Sequence, residues 1–259
     1  MSDRAASPQE EHNPATLRRL IATSRLFRGV SAGALDTLVP SARMVRRVAG
    51  ERLWRRGAEA RHFHVVLRGV LELQRESTGP HCTAVLLFGP GESPGVPVAL
   101  ERSRYIADAV AITPVLDVLV IDSEAVLAAR DEDITVCHAL ERALLAHVRL
   151  AHARLDVLAA GSVPRRLAAL LLDLCERFGD EHDDHSVFLT LPMTRTRIAS
   201  IVGARPETVM RVLSLWRRTD LVREREGGFE IPSIAALREQ LSGAMLDDEV
   251  AHEDGSTRR

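Results

Sequence analysis

The chain has 259 residues, 46% of them hydrophobic and 27% charged, with a formal net charge of -2. That length is enough for two ordinary domains with real cores, and the composition is globular. No apolar run is long enough to cross a bilayer, and the opening residues MSDRAASPQEEHNPAT are polar, unlike a secretion signal. The expectation is a cytoplasmic protein with no membrane partner. Three cysteines, Cys82, Cys137 and Cys175, lie far apart without a CxxC pair. They suit a reducing compartment and speak against a disulfide framework or zinc ribbon.

Charge is spread unevenly. Arg195, Arg197, Arg205, Arg211, Arg217, Arg218, Arg223 and Arg225 crowd one stretch, while acidic residues gather after Leu246. Local charge, not the net value, is what attracts phosphate.

In chain order, residues 1–14 are expected to be disordered. Leu17, Leu20, Ile21 and Leu26 predict an amphipathic helix over Pro14–Leu26, and Ala32–Val39 a second. Between Ala42 and Asp122 the texture changes. Glycines at 50, 57, 69, 79, 89, 91 and 95 punctuate the β-prone runs RMVRRV, HFHVVL, VLELQR, CTAVLLF and VLDVLVI. Short strands separated by glycine turns predict an all-β barrel or roll. In HFHVVL, Phe63, Val65 and Leu67 alternate with His62, His64 and Val66, which predicts one buried and one mixed face.

From Glu132 to Ala160 the period becomes helical. Leu140, Leu144, Val148, Ala151, Leu155 and Leu158 follow one another at spacings of four, four, three, four and three. Such a seam either packs on its own barrel or pairs with a second copy across a two-fold axis; pairing is the reading adopted. Gly161-Ser162-Val163-Pro164 breaks the helix, with Ser162 placed to cap the next one and Pro164 in its first turn. That next helix is predicted over Arg165–Phe178, with Leu167, Leu170, Leu171 and Leu174 on one face.

The segment Thr194–Ser233 is the most specific. Thr194 is a plausible N-cap, Ile198, Ala199 and Val202 form a buried face, and Gly203-Ala204 makes a tight turn. Pro206 opens a second helix whose Val209, Val212, Leu213 and Trp216 face inward. That leaves Arg205, Glu207, Thr208 and Arg211 pointing out near its start. Two short helices with this turn form a helix-turn-helix, whose second helix enters a major groove by its N-terminal residues. LVRERE, Gly227-Gly228 and FEI then read as a two-stranded wing. A generic helical hairpin with solvated charges is the competing reading.

These residues resemble the Crp/Fnr family of transcription regulators. IVGARPETVMRVL is similar to its recognition segment, whose Glu-Thr-x-x-Arg is here Glu207, Thr208 and Arg211. GERLWRRGAEARHFHVVLRGVLEL and FGPGESPG resemble its β-roll signature and glycine turn. The resemblance spans residues from about 25 to 235. It implies an α+β chain: an N-terminal double-stranded β-helix (β-roll), a long dimerisation helix and a C-terminal winged helix-turn-helix. The expected bounds are 15–130 for the cyclic-nucleotide-binding-like sensory roll, 131–160 for the dimerisation helix, 161–243 for the DNA-binding domain and 244–259 for a disordered acidic tail. The implied function is that of a homodimeric regulator of double-stranded DNA, touching RNA polymerase if it activates.

By resemblance, Glu207 and Arg211 read the C·G and G·C pairs of a TGA core, as glutamate accepts from cytosine and arginine donates twice to guanine. Pro206 stands where cAMP-responsive members carry an arginine, so the implied half-site is TTGA with TCAA inverted; Met210 leaves the outer thymines open. Thr194, Arg195 and Arg197 are expected to position phosphate, and Arg205 and Thr208 complete the expected DNA-binding set.

Cyclic-nucleotide-binding members follow the glycine turn with a glutamate for the ribose and, further on, an Arg-Ser pair for the phosphate. Here Val96 follows Gly95, and Tyr105-Ile106 stands in the Arg-Ser place; Arg102-Ser103 lies three residues early. Ala151 and His152 occupy the long-helix positions expected against the base. The effector site is thus expected at Gly95, Val96, Tyr105, Ile106, Ala151 and His152, and cAMP is disfavoured. An iron–sulfur cluster is disfavoured too, for want of four grouped thiolates. Haem stays open as the alternative: YIADAVA resembles nitric-oxide-responsive Dnr-like members, with His62, His64, His81, Cys82, His147 and His152 as axial candidates. A ligand-independent or cyclic-nucleotide-responsive regulator also stays open. No hydrolase, zincin or P-loop pattern occurs, so no enzyme, catalytic residue or metal site is expected. EHDDH, Glu181–His185, reads as solvated linker. A ligand-binding adaptor that never touches DNA is the third class.

Overall fold

The computed structural model describes residues 13–76, 82–182 and 185–242, with no side-chain description at 76, 82–85 and 242. The expected disordered ends, apart from Asn13 and Pro14, and His81 therefore lie outside the described residues. Two compact units meet inside one helix, between Ala151 and His152.

In the N-terminal unit, α1 (Pro14–Thr23) starts at Asn13, whose side chain accepts the Ala15 N–H at 2.9 Å. Helix α2 (Ala32–Leu38) is capped by Ser31. Seven strands follow: β1 (Ala42–Val48), β2 (Arg52–Trp54), β3 (His62–Arg68), β4 (Leu71–Glu76) and β5 (Cys82–Phe88), then, after helix α3 (Val96–Leu100), β6 (Asp108–Ala111) and β7 (Val115–Asp122). They form two antiparallel sheets, ordered β1-β7-β3 and β2-β6-β4-β5. Their shared core includes Phe63, Val65, Leu71, Phe88, Leu116, Leu119 and Ile121. This is the expected β-roll.

The alternation predicted for β3 is corrected. His64 and Val66 are as buried as Phe63 and Val65. Trp54 of the other sheet lies over His64, while α3 and α4 (Ser123–Glu132) pack beside the strand, so both faces are covered. α4 is a separate helix that the sequence pattern did not mark. Asp122 caps it by accepting the Glu124 N–H at 3.2 Å, and the chain then turns at Asp133 into α5 (Ile134–Ala159).

α5 runs for 26 residues. Val136, Ala139 and Leu140 are buried in the core of the N-terminal unit. Leu140 is only 3% exposed, which removes it from the predicted seam: it is spent on its own roll. The remaining apolar residues, Leu144, Val148, Leu155 and Leu158, are 36–59% exposed, and Leu145, which the heptad spacing passed over, is 55% exposed.

In the C-terminal unit, α6 (Val163–Phe178) buries Leu167, Leu170, Leu171 and Leu174 as expected. Ser162 occupies its N-cap position, but its side chain makes no cap bond, a correction to the predicted role. The strands β8 (Gly179–Glu181) and β9 (Val187–Leu189) precede α7 (Arg195–Val202) and α8 (Pro206–Arg218). The wing β10 (Arg223–Arg225) and β11 (Gly228–Ile231) joins the earlier pair as one sheet, ordered β10-β11-β9-β8, and α9 (Ile234–Ser242) closes the unit against α6. The predicted linker at 181–185 thus starts in a strand, with residues 183–184 outside the described set.

Two adjacent glycines in the wing turn do different things. A Cβ on Gly228 would stand 1.9 Å from the Leu189 carbonyl oxygen, so only glycine lets β11 close on β9. Gly227 has φ +84° and open space around it. Gly228→Ala is therefore expected to cost about 1–3 kcal/mol or more from forced overpacking. Gly227→Ala should cost only the left-handed backbone strain of roughly 1–2 kcal/mol. Urea denaturation of both variants, followed by circular dichroism, checks the order.

Candidate nucleic-acid interface and effector site

α7 begins where the Thr194 hydroxyl accepts the Arg197 N–H at 3.2 Å, and ends at Gly203 in the left-handed conformation with φ +61°. Its inner face is Ile198, Ala199, Ile201 and Val202. α8 starts after Arg205, with Pro206 in its first turn, and buries Val209, Val212, Leu213 and Trp216. One face of α8 is thus fixed inward, so the other must carry Glu207, Met210 and Arg211. These three are exposed, Arg205 is exposed, and Thr208 is half-buried. Glu207 and Arg211 stand four residues apart, on one face one turn along.

The turn between the two helices is held from behind. The Arg166 guanidinium donates to the carbonyls of Val202 at 2.7 Å and Gly203 at 3.1 Å, and Arg154 donates to that of Ile201. These cations satisfy the carbonyls that end α7 and complement its dipole. Burial holds the Arg154 pKa below the usual guanidinium value.

The arginine cluster divides into paired and free members. Arg195 meets Glu224 at 2.9 Å. Arg223 bridges Asp220 and Glu230 at 2.6 Å each, and Arg225 meets Glu230 at 2.6 Å. Hydrogen bonds from Arg223 hold the Asp220 carboxyl below its ordinary range, and those from Arg225 and Arg223 do the same for Glu230. Arg197 donates to the Pro192 carbonyl at 2.9 Å. Arg205, Arg211, Arg217 and Arg218, together with Glu207, make no side-chain hydrogen bond or ion pair among the described residues. The set of arginines without a carboxylate partner is therefore narrower than the count along the sequence.

Of the predicted effector residues, Gly95, Val96 and Tyr105 come together in the roll, whereas Ile106 does not join them. Gly95, with φ +77°, precedes α3, and Val96 is fully buried. Tyr105 lies inside the roll, stacked on Trp54 at 4.3 Å between ring centroids, with His64 also beside Trp54 at 4.8 Å. A Cβ on Gly95 would meet the Tyr105 ring at 3.2 Å and Trp54 at 3.6 Å, so this stack fills the space inside the glycine turn. Backbone bonds from Tyr105 to the Ala58 carbonyl and from Gly57 to that of Tyr105 fix the tyrosine inward. Ile106 is thereby turned out, 65% exposed, and is struck from the interior site. Ala151 and His152 are exposed on α5. Of the histidines, His62 contacts Arg43 at 3.1 Å, His147 lies against Phe88, and His64 is sealed with its Nδ1 unpartnered. No group of three or more metal-binding side chains occurs among the described residues.

Sequence comparison extends these observations. Residues 45–133 match the cyclic nucleotide-binding domain family and residues 165–240 the Crp-like helix-turn-helix domain family. A sensor-type roll followed by this helix-turn-helix makes the chain a DNA-binding transcription regulator. It belongs to the Crp/Fnr family. It is 28% identical over 234 residues to the nitrogen fixation regulation protein FixK of Azorhizobium caulinodans, covering 86% of this chain and 88% of that one. It is 25% identical over 195 residues to the CRP-like cAMP-activated global transcriptional regulator of Mycobacterium tuberculosis, covering 75% and 86%. The structure of FixK2 from Bradyrhizobium japonicum has the same fold, with a TM-score of 0.67 at 19% identity over 77% of this chain and 96% of that one. No helix among the described residues is long and apolar enough to cross a membrane.

Two expectations follow. Arg166→Met leaves the Val202 and Gly203 carbonyls without their donor, and should lower unfolding free energy by about 1–3 kcal/mol in denaturant titration. Burial, chiefly, with the His62 and Arg43 charges nearby, pushes the His64 pKa down to about 3 from the ordinary 6.5. The unfolded chain therefore binds a proton below pH 6.5 that the native chain refuses until about pH 3. Stability should fall with pH across that window, and His64→Phe should flatten that dependence in thermal melts; an unchanged slope would exclude His64 as its source.

Proposed function

We propose that the protein is a homodimeric, non-enzymatic regulator that reads a TTGA-like inverted repeat under an effector other than cAMP. Glu207 and Arg211 carry the proposal. They are exposed one turn apart at the start of α8, without partners among the described residues, while the neighbouring Arg195, Arg223 and Arg225 are neutralised by carboxylates. A carboxylate and a guanidinium so presented match cytosine N4 and guanine O6/N7 in a major groove. Thr194, Arg195, Arg197, Arg205 and Thr208 surround them as the positioning set, in which Arg195 must leave Glu224 to reach a phosphate.

The dimer reading rests on Leu144, Leu145, Val148, Leu155 and Leu158, exposed along α5. A second copy around a two-fold axis buries them and presents two α8 helices to successive grooves about 34 Å apart. Against cAMP stand Val96 in place of the ribose-binding glutamate and the Trp54–Tyr105 stack where the phosphate would lie. Activation at a promoter would add contact with RNA polymerase.

Arg211→Ala is expected to lose about 1–3 kcal/mol on a TTGA/TCAA duplex and to relax discrimination at the matched guanine. Fluorescence anisotropy on the cognate and guanine-substituted duplexes measures this; equal loss on both would make Arg211 a phosphate contact instead. Val148→Asp should convert the dimer to a monomer in sedimentation velocity while circular dichroism stays unchanged. A wild-type chain that sediments as a monomer at micromolar concentration would refute the α5 interface.

A further inference from the structure

A pocket of about 450 Å³ lies within the N-terminal unit, against Gly91, Glu92 and Ser93 of the glycine turn and without Gly95, Val96 or Tyr105 in its lining. Its walls are the segment after α1, the turn after β5 and one side of α5. The floor is apolar: Phe88 is buried, with the His147 ring tilted against it at 5.3 Å, and Leu26 and Leu150 lie beside them. Burial lowers the His147 pKa, so this wall is neutral near pH 7. The rim carries Arg25, Arg28, Arg142 and Arg149.

These arginines differ from others on the roll. Arg18, Arg46, Arg52 and Arg61 each meet a carboxylate within 3.1 Å. Arg142 instead donates to the Arg28 carbonyl at 2.6 Å, which ties α5 to the segment after α1. The side chains of Arg25, Arg28 and Arg149 have no hydrogen bond or ion pair among the described residues. The one lining carboxylate, Glu92, accepts the Gly89 N–H at 2.7 Å and has a further interaction, so it is engaged in its own turn. Gly91, with φ +81°, lets Arg25 lie across that turn: a Cβ there would press on the Arg25 side chain at 3.0 Å. At 3.6 residues per turn, Ala146 and Leu150 lie on the side of α5 away from Leu144 and Val148, while Leu145 stands beside Arg142 and Arg149, so the pocket borders the apolar stripe.

We infer that the pocket binds a small organic anion, with a planar or apolar body on Phe88 and Leu150 and one or two carboxylate, phosphate or sulfonate groups held by the guanidiniums. Unpaired guanidiniums around a concave apolar floor focus positive potential, and their fork geometry fits such groups bidentately. The volume is that of an ordinary small-molecule site. Ligand binding here stands apart from DNA readout, and it is tested without DNA.

The probe is 8-anilinonaphthalene-1-sulfonate, titrated into the full chain by fluorescence, with the uncharged N-phenyl-1-naphthylamine as its counterpart. The sulfonate dye should saturate with Kd below about 100 µM and bind at least about tenfold more tightly than the neutral dye. Arg25→Gln/Arg149→Gln should abolish that preference, whereas Leu144→Ser/Val148→Ser, on the stripe, should keep it. In the wild-type chain, sodium pyrophosphate should displace the sulfonate dye well below the concentration at which sodium chloride of equal ionic strength does, a readout independent of whether the variants fold. Equal binding of the two dyes, an unchanged arginine variant, or displacement by ionic strength alone would overturn the assignment.

Discussion

One apolar stripe runs the length of α5, and its own chain covers only the beginning of it. α5 commits Val136, Ala139 and Leu140 to the core of the roll and leaves Leu144, Val148, Leu155 and Leu158 to solvent. Burying such side chains is worth roughly 1.5–3 kcal/mol each, so leaving the stripe wet forgoes stabilisation that a second chain would supply. The proposed dimer, and with it the paired presentation of two recognition helices, follows from this constraint.

A division of faces operates at the other end of the molecule. α8 gives Val209, Val212, Leu213 and Trp216 to the core, which obliges Glu207 and Arg211 to face outward. Arg154 and Arg166 hold the end of α7, so the turn that sets the angle of α8 is fixed by charge-assisted bonds to its carbonyls. Arg154 belongs to α5 itself. The last turns of that helix therefore help to hold the turn between α7 and α8.

The helix-turn-helix was legible because its signals are local: a threonine cap, a glycine at the left-handed turn, a proline opening the second helix and a clean helical period. The predicted inward residues of α7 and α8 are all buried. The roll was legible as a class, from glycine-punctuated strands, but the faces of β3 were not, since covering both depends on which elements pack beside it. Likewise β8 and β9 were missed because three-residue strands acquire meaning only through pairing with the wing. Leu140 was assigned to the seam because spacing reports the face of a helix and not what meets it. Counting arginines overstated the free charge, because Glu224 and Glu230, which neutralise three of them, come together with their partners only in the folded wing. The arginine-rimmed pocket drew no notice in the sequence: its walls come from three distant segments.

The stoichiometry of the DNA complex decides whether two chains act together; it is measured by sedimentation equilibrium with a labelled duplex carrying TTGA and its inverted repeat TCAA. A dimer paired along α5 gives two chains per duplex, with cooperative loss of both when either half-site is scrambled. One chain per duplex, or equal binding to the scrambled DNA, would contradict it.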